Sequence, residues 1–156
     1  WINEERIKDQ LAKAVPNIEL YEFDPVQTQN GVLAMYQMHR DMPLFDVRLE
    51  LMVDGNNIVG YRQIHAEEIA SEEGTEEHKV LPAYTVLKVL VENHLFSGTK
   101  ITDVRLGYHG QMYDSEKQVL APYWRVAVSG GDMYYIHAIN GAVEAPQKRG
   151  ETDRAF

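Results

Sequence analysis

Between Leu44 and Val53 the chain alternates without a break. Phe45, Val47, Leu49 and Leu51 take one side, and Asp46, Arg48, Glu50 and Met52 take the other. A period of two over that length belongs to a half-buried antiparallel strand, because successive side chains of a pleated strand point to opposite faces. Asp54-Gly55-Asn56-Asn57 then turns the chain, and Ile58 to Ala66 is predicted to return as a hairpin partner with Val59, Tyr61, Gln63 and His65 on one face. A hairpin with one apolar face must be covered by another layer.

Two segments have the helical period such a layer requires. In the first, Asn3 precedes Glu4 and Glu5, whose charges favour a helix start. Ile7, Leu11, Ala14 and Val15 form an apolar stripe, and Pro16 stops the helix near Val15. In the second, Pro82 suits the opening turn, and Tyr84, Leu87, Val91 and Leu95 recur at near-helical spacing, joined by Val86, Leu90 and Phe96. Ser97-Gly98 ends it. The second helix is the more apolar and is expected to pack more deeply.

The remaining segments read as strands and turns. Ile18 and Leu20 alternate against Glu19, Tyr21 and Phe23 until Asp24-Pro25; Val32 to His39 follows the turn at Gln29-Asn30-Gly31 and is closed by Asp41-Met42-Pro43. In the second half, Ile101 to Tyr108, Tyr123 to Val128 and Met133 to Ala138 are strands, and Asn140-Gly141 turns the chain into Ala142-Val143. In the strand from Tyr123 to Val128, Trp124, Val126 and Val128 oppose Tyr123, Arg125 and Ala127. The expected class is α+β: two helix-plus-antiparallel-sheet units, 1–66 and 81–146, as separate sheets or one continuous sheet. Between them, 67–80 is an acidic connection, with six glutamates from Glu67 to Glu77, and 147–156 is a tail. A parallel βαβ fold would need helices alternating with strands, and two helices here serve many more strands.

Charge and composition narrow the function. The formal net charge of the 156 residues is -9, which repels a phosphate backbone and anionic lipid alike, so no nucleic-acid partner is expected. Cysteine is absent, excluding disulfides, zinc–thiolate sites and thiol catalysis. No apolar run reaches the length of a membrane-spanning helix. The chain opens at Trp1 rather than Met and reads as an excised fragment, which fits equally a lost membrane anchor and a processed soluble protein.

Chemical motifs are weak. Gly107-Tyr108-His109-Gly110 lacks the lysine and following helix of a phosphate loop and reads as a strand end. His65, Glu67, Glu68 and His78 form the most metal-like group, but they sit in a solvated acidic stretch. Asp46 with Glu50, and Asp103 with Asp114, are available carboxylate pairs with nothing to mark either as buried. Ser129 before Gly130 is explained by a turn. No enzyme, cofactor or metal is expected. The aromatic residues of the final sheet divide between core and edge, and an outward set composed of Tyr108, Tyr113, Tyr123, Tyr134, Tyr135 and His137 is the candidate protein-contact surface. Because Tyr134 and Tyr135 are neighbours in a strand, at most one is expected in the core, the other needing a partner, a covering loop or water.

Five segments carry a family resemblance. They are Ile101–Tyr108 (ITDVRLGY), Val119–Val126 (VLAPYWRV) and Met133–Glu144 (MYYIHAINGAVE), with Gly60–Gln63 (GYRQ) and Pro43–Leu49 (PLFDVRL). Together they make the chain, from about residue 18 to about residue 145, similar to the YycI branch of the YycH/YycI family. That resemblance implies an accessory protein of Gram-positive bacteria: a short inner tail, one membrane-spanning helix and an outer α+β body. It implies location at the cell membrane with this part on the extracytoplasmic side. The partners it implies are a sensor histidine kinase of a cell-wall-related two-component system and a YycH-like protein. The family offers no catalytic residues to carry over, and asparagine is its usual residue where this chain has His137. A different class of function, a propeptide-like or inhibitor-like module filling an enzyme groove through a sheet edge, fits the same tyrosine-rich hairpin.

Overall fold

A computed structural model describes residues 3–71, 79–110 and 117–150, with the side chains of Ser71 and of 117–119 left aside. Helix α1 (Glu4–Leu11) starts where its cap allows, the Asn3 side chain accepting the Arg6 N–H at 3.0 Å. The chain then departs from the expected strand at Ile18. Ile18–Leu20 is a turn of 3-10 helix entered through Asn17 at φ 58°, and strand β1 is only Tyr21–Phe23. Ile18 and Tyr21 are both buried and Leu20 is exposed, so the apolar spacing that matters is three rather than two.

Strands β2 (Val32–His39) and β3 (Met42–Asp54) form a hairpin whose two turn residues, Arg40 and Asp41, both have positive φ (50° and 62°). Pro43, expected to close the first strand, instead lies within β3 opposite Met38. The register breaks further along: Tyr36 faces Arg48, but the next residue, Gln37, faces Leu44. Phe45, Asp46 and Val47 are thus held in a bulge, which redirects their side chains. Gly55 (φ 60°) turns the chain into β4 (Asn57–Gln63), paired with the second half of β3.

The acidic connection is structured where it begins. Glu68–Ser71 is strand β5, parallel to the later strand β7 (Lys117–Val128), and Ile69 packs beside Leu44, Val47, Ala66 and Leu120. Residues 72–78 lie outside the described residues. Helix α2 (Ala83–Asn93) buries Val86 and Leu90, whereas α1 buries no residue fully, as its weaker stripe predicts. Strand β6 (Ile101–His109) precedes β7, β8 (Asp132–His137) follows it, and β9 (Gln147–Lys148) pairs with β8. Part of the expected tail is therefore sheet.

One sheet runs β1-β2-β3-β6-β7-β8-β9, with β4 on β3 and β5 on β7, and the class is α+β. The two halves meet where Leu44 of β3 pairs in parallel with Tyr108 of β6. Each half packs its own helix on its own strands. Ile7 and Leu11 of α1 pack on Met35, Leu49 and Leu51; Val86 and Leu90 of α2 pack on Val126, Tyr134 and Ile136. On the opposite face the sheet curls until Tyr36, Phe45 and Tyr135 touch. The loop after β1 covers this inner face with Val26, against Ala127 and Met133. Arg149, just beyond β9, donates to the carbonyls of Val26 (2.6 Å) and Thr28 (3.3 Å), so both ends of the sheet are tied together.

Candidate protein-contact site

The bulge at Phe45–Val47 delivers Asp46 to the end of β6, where it meets His109. His109 Nδ1 is 2.8 Å from Asp46 Oδ2 and Nε2 is 3.0 Å from Glu144 Oε1; the Gly110 N–H also donates to Asp46 Oδ2 at 3.1 Å. The imidazole stacks on Tyr135 at 4.1 Å and meets the Tyr123 ring edge-on at 4.9 Å. Burial opposes the charge on this ring, but hydrogen bonds and attraction from the two carboxylates push its pKa up to about 10. The bond to His109 in turn lowers the pKa of Glu144 against the effect of its own burial. The cluster is an imidazolium clamp joining β3, β6 and the segment after β8. Tied by a carboxylate on each nitrogen, the ring works as a fixed cation.

A second charged pair lies deeper. Arg125 of β7 projects from the inner face and binds Asp24, from the loop after β1, through both arms of its guanidinium. Asp24 also accepts from the Val26 N–H at 3.1 Å, which shapes the covering loop. The guanidinium carbon stands 4.6 Å from the Phe45 ring centre and 5.8 Å from that of Tyr36. Burial disfavours the charge on Arg125, and the Asp24 hydrogen bonds and charge more than restore it.

The sequence-predicted contact residues divide accordingly. Tyr134 and Tyr135 are both in the core, one against α2 and one against Phe45 and His109, which corrects the expectation that at most one is buried. The reason is that both faces of β8 are covered, by α2 on one side and by the curled sheet on the other. Neither belongs to an exposed surface. Tyr123 and His137 are half-buried beside His109, their rings 5.0 Å apart, whereas Tyr108, the neighbour of His109 in β6, is half-buried on the opposite face, packed with Leu44, Val47 and Leu120 and 6.1 Å from the His39 ring. Tyr113 lies outside the described residues.

The large apolar side chains facing water lie mainly elsewhere. Tyr84 is 77% exposed and Val91 53% on the outer side of α2, and Phe96 just past it is 89% exposed. Tyr84 and Val91 are two turns apart and share a face; Val86 and Leu90 hold the other face in the core. The sequence stripe through Tyr84, Leu87, Val91 and Leu95 therefore mixes inner and outer residues. Its outward members are the signal for an external contact.

The chemical groupings considered in the sequence resolve into structure. Asp46 binds His109 and Glu50 binds Arg62 at 3.3 Å, so each carboxylate has its own cation. Ser129 Oγ accepts the Lys100 N–H at 2.9 Å, as a turn requires. Asp114 and His78 lie outside the described residues, and among the described residues no group of three metal-type ligands converges. Two open clefts meet at Arg149. One, of about 240 Å³, is lined by Pro25, Val26, Thr102, Asp103 and Ala127; the other, of about 620 Å³, by Thr28, Gln29 and Asn30. Among the described residues no helix is long and apolar enough to cross a membrane.

Fold and site define a small α+β body in which His109 and Arg125 are tied inside the fold and, among the described residues, the two most exposed aromatic side chains, Tyr84 and Phe96, lie on and beside one helix. The chain belongs to the YycI family: the family model described as YycI protein matches residues 2–139. That family is regulatory, acting in two-component signalling, and at family level its partner is a histidine kinase system. Among solved structures the chain is similar to the Bacillus megaterium YpeB C-terminal domain. The two are 12% identical with a TM-score of 0.52, over 97% of this chain and 67% of that one, a likeness of fold. No curated protein sequence matches.

Proposed function

We propose that this chain is the outer, non-catalytic part of a membrane-anchored accessory regulator, acting on a cell-wall-related sensor histidine kinase through protein contacts in concert with a YycH-like partner. The observation that carries the reading is the match to the YycI family over residues 2–139. Supporting it, the ionisable clusters at His109 and Arg125 are tied within the fold, while Tyr84, Val91 and Phe96 present apolar area outward. Aromatic residues of this kind supply much of the energy of protein interfaces. An anchor ahead of residue 1 would confine both partners to one membrane and raise their effective concentration, so a small contact suffices.

The test is kinase output in reconstituted membranes, with the anchored protein, its matching kinase and the YycH-like partner. A specific complex that changes autophosphorylation supports the proposal, and loss of that change when residues 1–156 are deleted assigns it to this body. Unchanged association and output in the presence of this body would refute it.

A further inference from the structure

His137 ends β8 with an acceptor that only an uncharged imidazole possesses. Its Nδ1 lies 3.2 Å from the Ile139 backbone nitrogen and 3.3 Å from that of Asn140. Backbone amides only donate, so Nδ1 must carry a lone pair and the ring proton sits on Nε2. The same turn is closed by Gly141 N–H to the His137 carbonyl (2.9 Å), His137 N–H to the Ala142 carbonyl (2.8 Å) and Ala142 N–H to Asn140 Oδ1 (2.9 Å). It is also wired to the start of α2. The Ala138 carbonyl accepts the Leu81 N–H at 2.7 Å, and the Leu81 carbonyl accepts from Trp124 Nε1 at 2.8 Å.

We propose that the His137–Ala142 turn is a pH-responsive element, closed while His137 is neutral and opened when Nδ1 takes a proton. Protonation removes the acceptor from two amides at once and sets a third N–H against them. The groups facing the ring decide where the cation goes. From β7, Tyr123 presents its ring at 5.0 Å. From the segment after the turn, Glu144 attracts the charge. Across Glu144 stands the cationic His109, itself bound to Asp46 of β3, which opposes it. Wherever that balance leaves the charge, a protonated Nδ1 accepts from neither Ile139 nor Asn140, and the turn loses its cap.

Asparagine is the informative replacement. Its carboxamide oxygen stands as many bonds from Cα as Nδ1 does, so His137→Asn keeps an acceptor for both amides and does not titrate. The experiment is NMR on the full chain from pH 8 to pH 5, following the imidazole nitrogens, the backbone amides and amide exchange. At pH 8 the Nε2–H tautomer is expected. On acidification the Ile139 and Asn140 amide shifts should follow the His137 ring, and protection of the Gly141 and Ala142 amides should fall about tenfold, as losing one or two ordinary hydrogen bonds gives. In His137→Asn these amides should stay protected throughout. The proposal is overturned by an Nδ1–H tautomer at pH 8, by a ring still neutral at pH 5, by amides unmoved through the ring's titration, or by the same transition in His137→Asn.

Discussion

Asp24 and Arg125 stand 101 positions apart and meet through two hydrogen bonds of 2.9 Å, with 0% and 1% of their side chains exposed. The pair ties the loop after β1, in the first half, to β7, in the second, beneath the rings of Tyr36 and Phe45. Removing either partner leaves a buried charge without its counterion. Asp24→Asn or Arg125→Met is therefore expected to lower unfolding stability by about 3–5 kcal/mol, measured by urea denaturation. The double variant Asp24→Leu with Arg125→Met removes both charges and should recover most of that loss. Single variants as stable as the parent would show that the pair contributes nothing.

That pair also marks where sequence reasoning stops. The Leu44–Val53 alternation, both helices and the closing hairpin are legible because each is a local period with a local turn signal. The alternation even puts Arg125 opposite Trp124, Val126 and Val128, but an arginine opposite an apolar stripe reads as solvent-facing. Only the curl of the sheet, which brings the other half over that face, makes it buried. His109 with Asp46 and Glu144 is hidden for the same reason: the carboxylates are 63 and 35 positions away, and one is delivered by a bulge. The Ile18–Leu20 turn passes for a strand because three residues are too few to separate a period of two from one of three. Tyr134 and Tyr135 cannot both be placed inside without knowing that β8 is covered twice.

The His109 clamp predicts an alkaline loss of stability. Its folded pKa, about 10, lies above the ordinary value of 6.5. Such a group contributes fully below pH 6.5 and loses its contribution as pH rises through about 10. The loss should be on the order of a few kcal/mol, since every tenfold gain in proton affinity on folding is worth about 1.4 kcal/mol. Glu144 has the opposite sign: its lowered pKa gives stability that disappears on acidification. Its side chain is 40% exposed, so solvent screening makes that share small. Burial raises the pKa of Tyr21 to about 12 and raises that of Tyr135 further, so their ionisation weakens the fold only above pH 10. Urea midpoints of the parent chain should fall between pH 7 and pH 10, while those of His109→Gln should be lower at pH 7 and nearly flat across the window. Parallel profiles for the two proteins would contradict the clamp.

Gly107 sits where β6 passes beneath the bulge. A Cβ built there would come within 2.6 Å of two Phe45 ring carbons and 2.7 Å of the Pro43 carbonyl oxygen. A rotamer change can displace the ring, but the carbonyl belongs to the β3 backbone, so Gly107→Ala is expected to cost about 1–3 kcal/mol. Gly60→Ala is the control, since its Cβ would meet nothing within 4 Å. Thermal unfolding of the two variants should separate them clearly; equal midpoints would mean that β6 can move away from Phe45.

The two faces of α2 should separate stability from signalling. Leu90 is fully buried against the final sheet, and Leu90→Ala is expected to cost about 2–5 kcal/mol. Tyr84 and Phe96 are exposed, and their replacement by alanine should change stability by no more than about 0.5 kcal/mol. If the outer face meets the kinase or its YycH-like partner, Tyr84→Ala with Phe96→Ala should reduce the effect on autophosphorylation in reconstituted membranes while the body stays folded. Truncating an aromatic anchor at a protein interface commonly costs about 2 kcal/mol or more, so about a thirtyfold weakening of association is the expected scale. A folded double variant with unchanged association and output would move the contact away from α2, and the half-buried pair Tyr123 and His137 would be the next surface to alter.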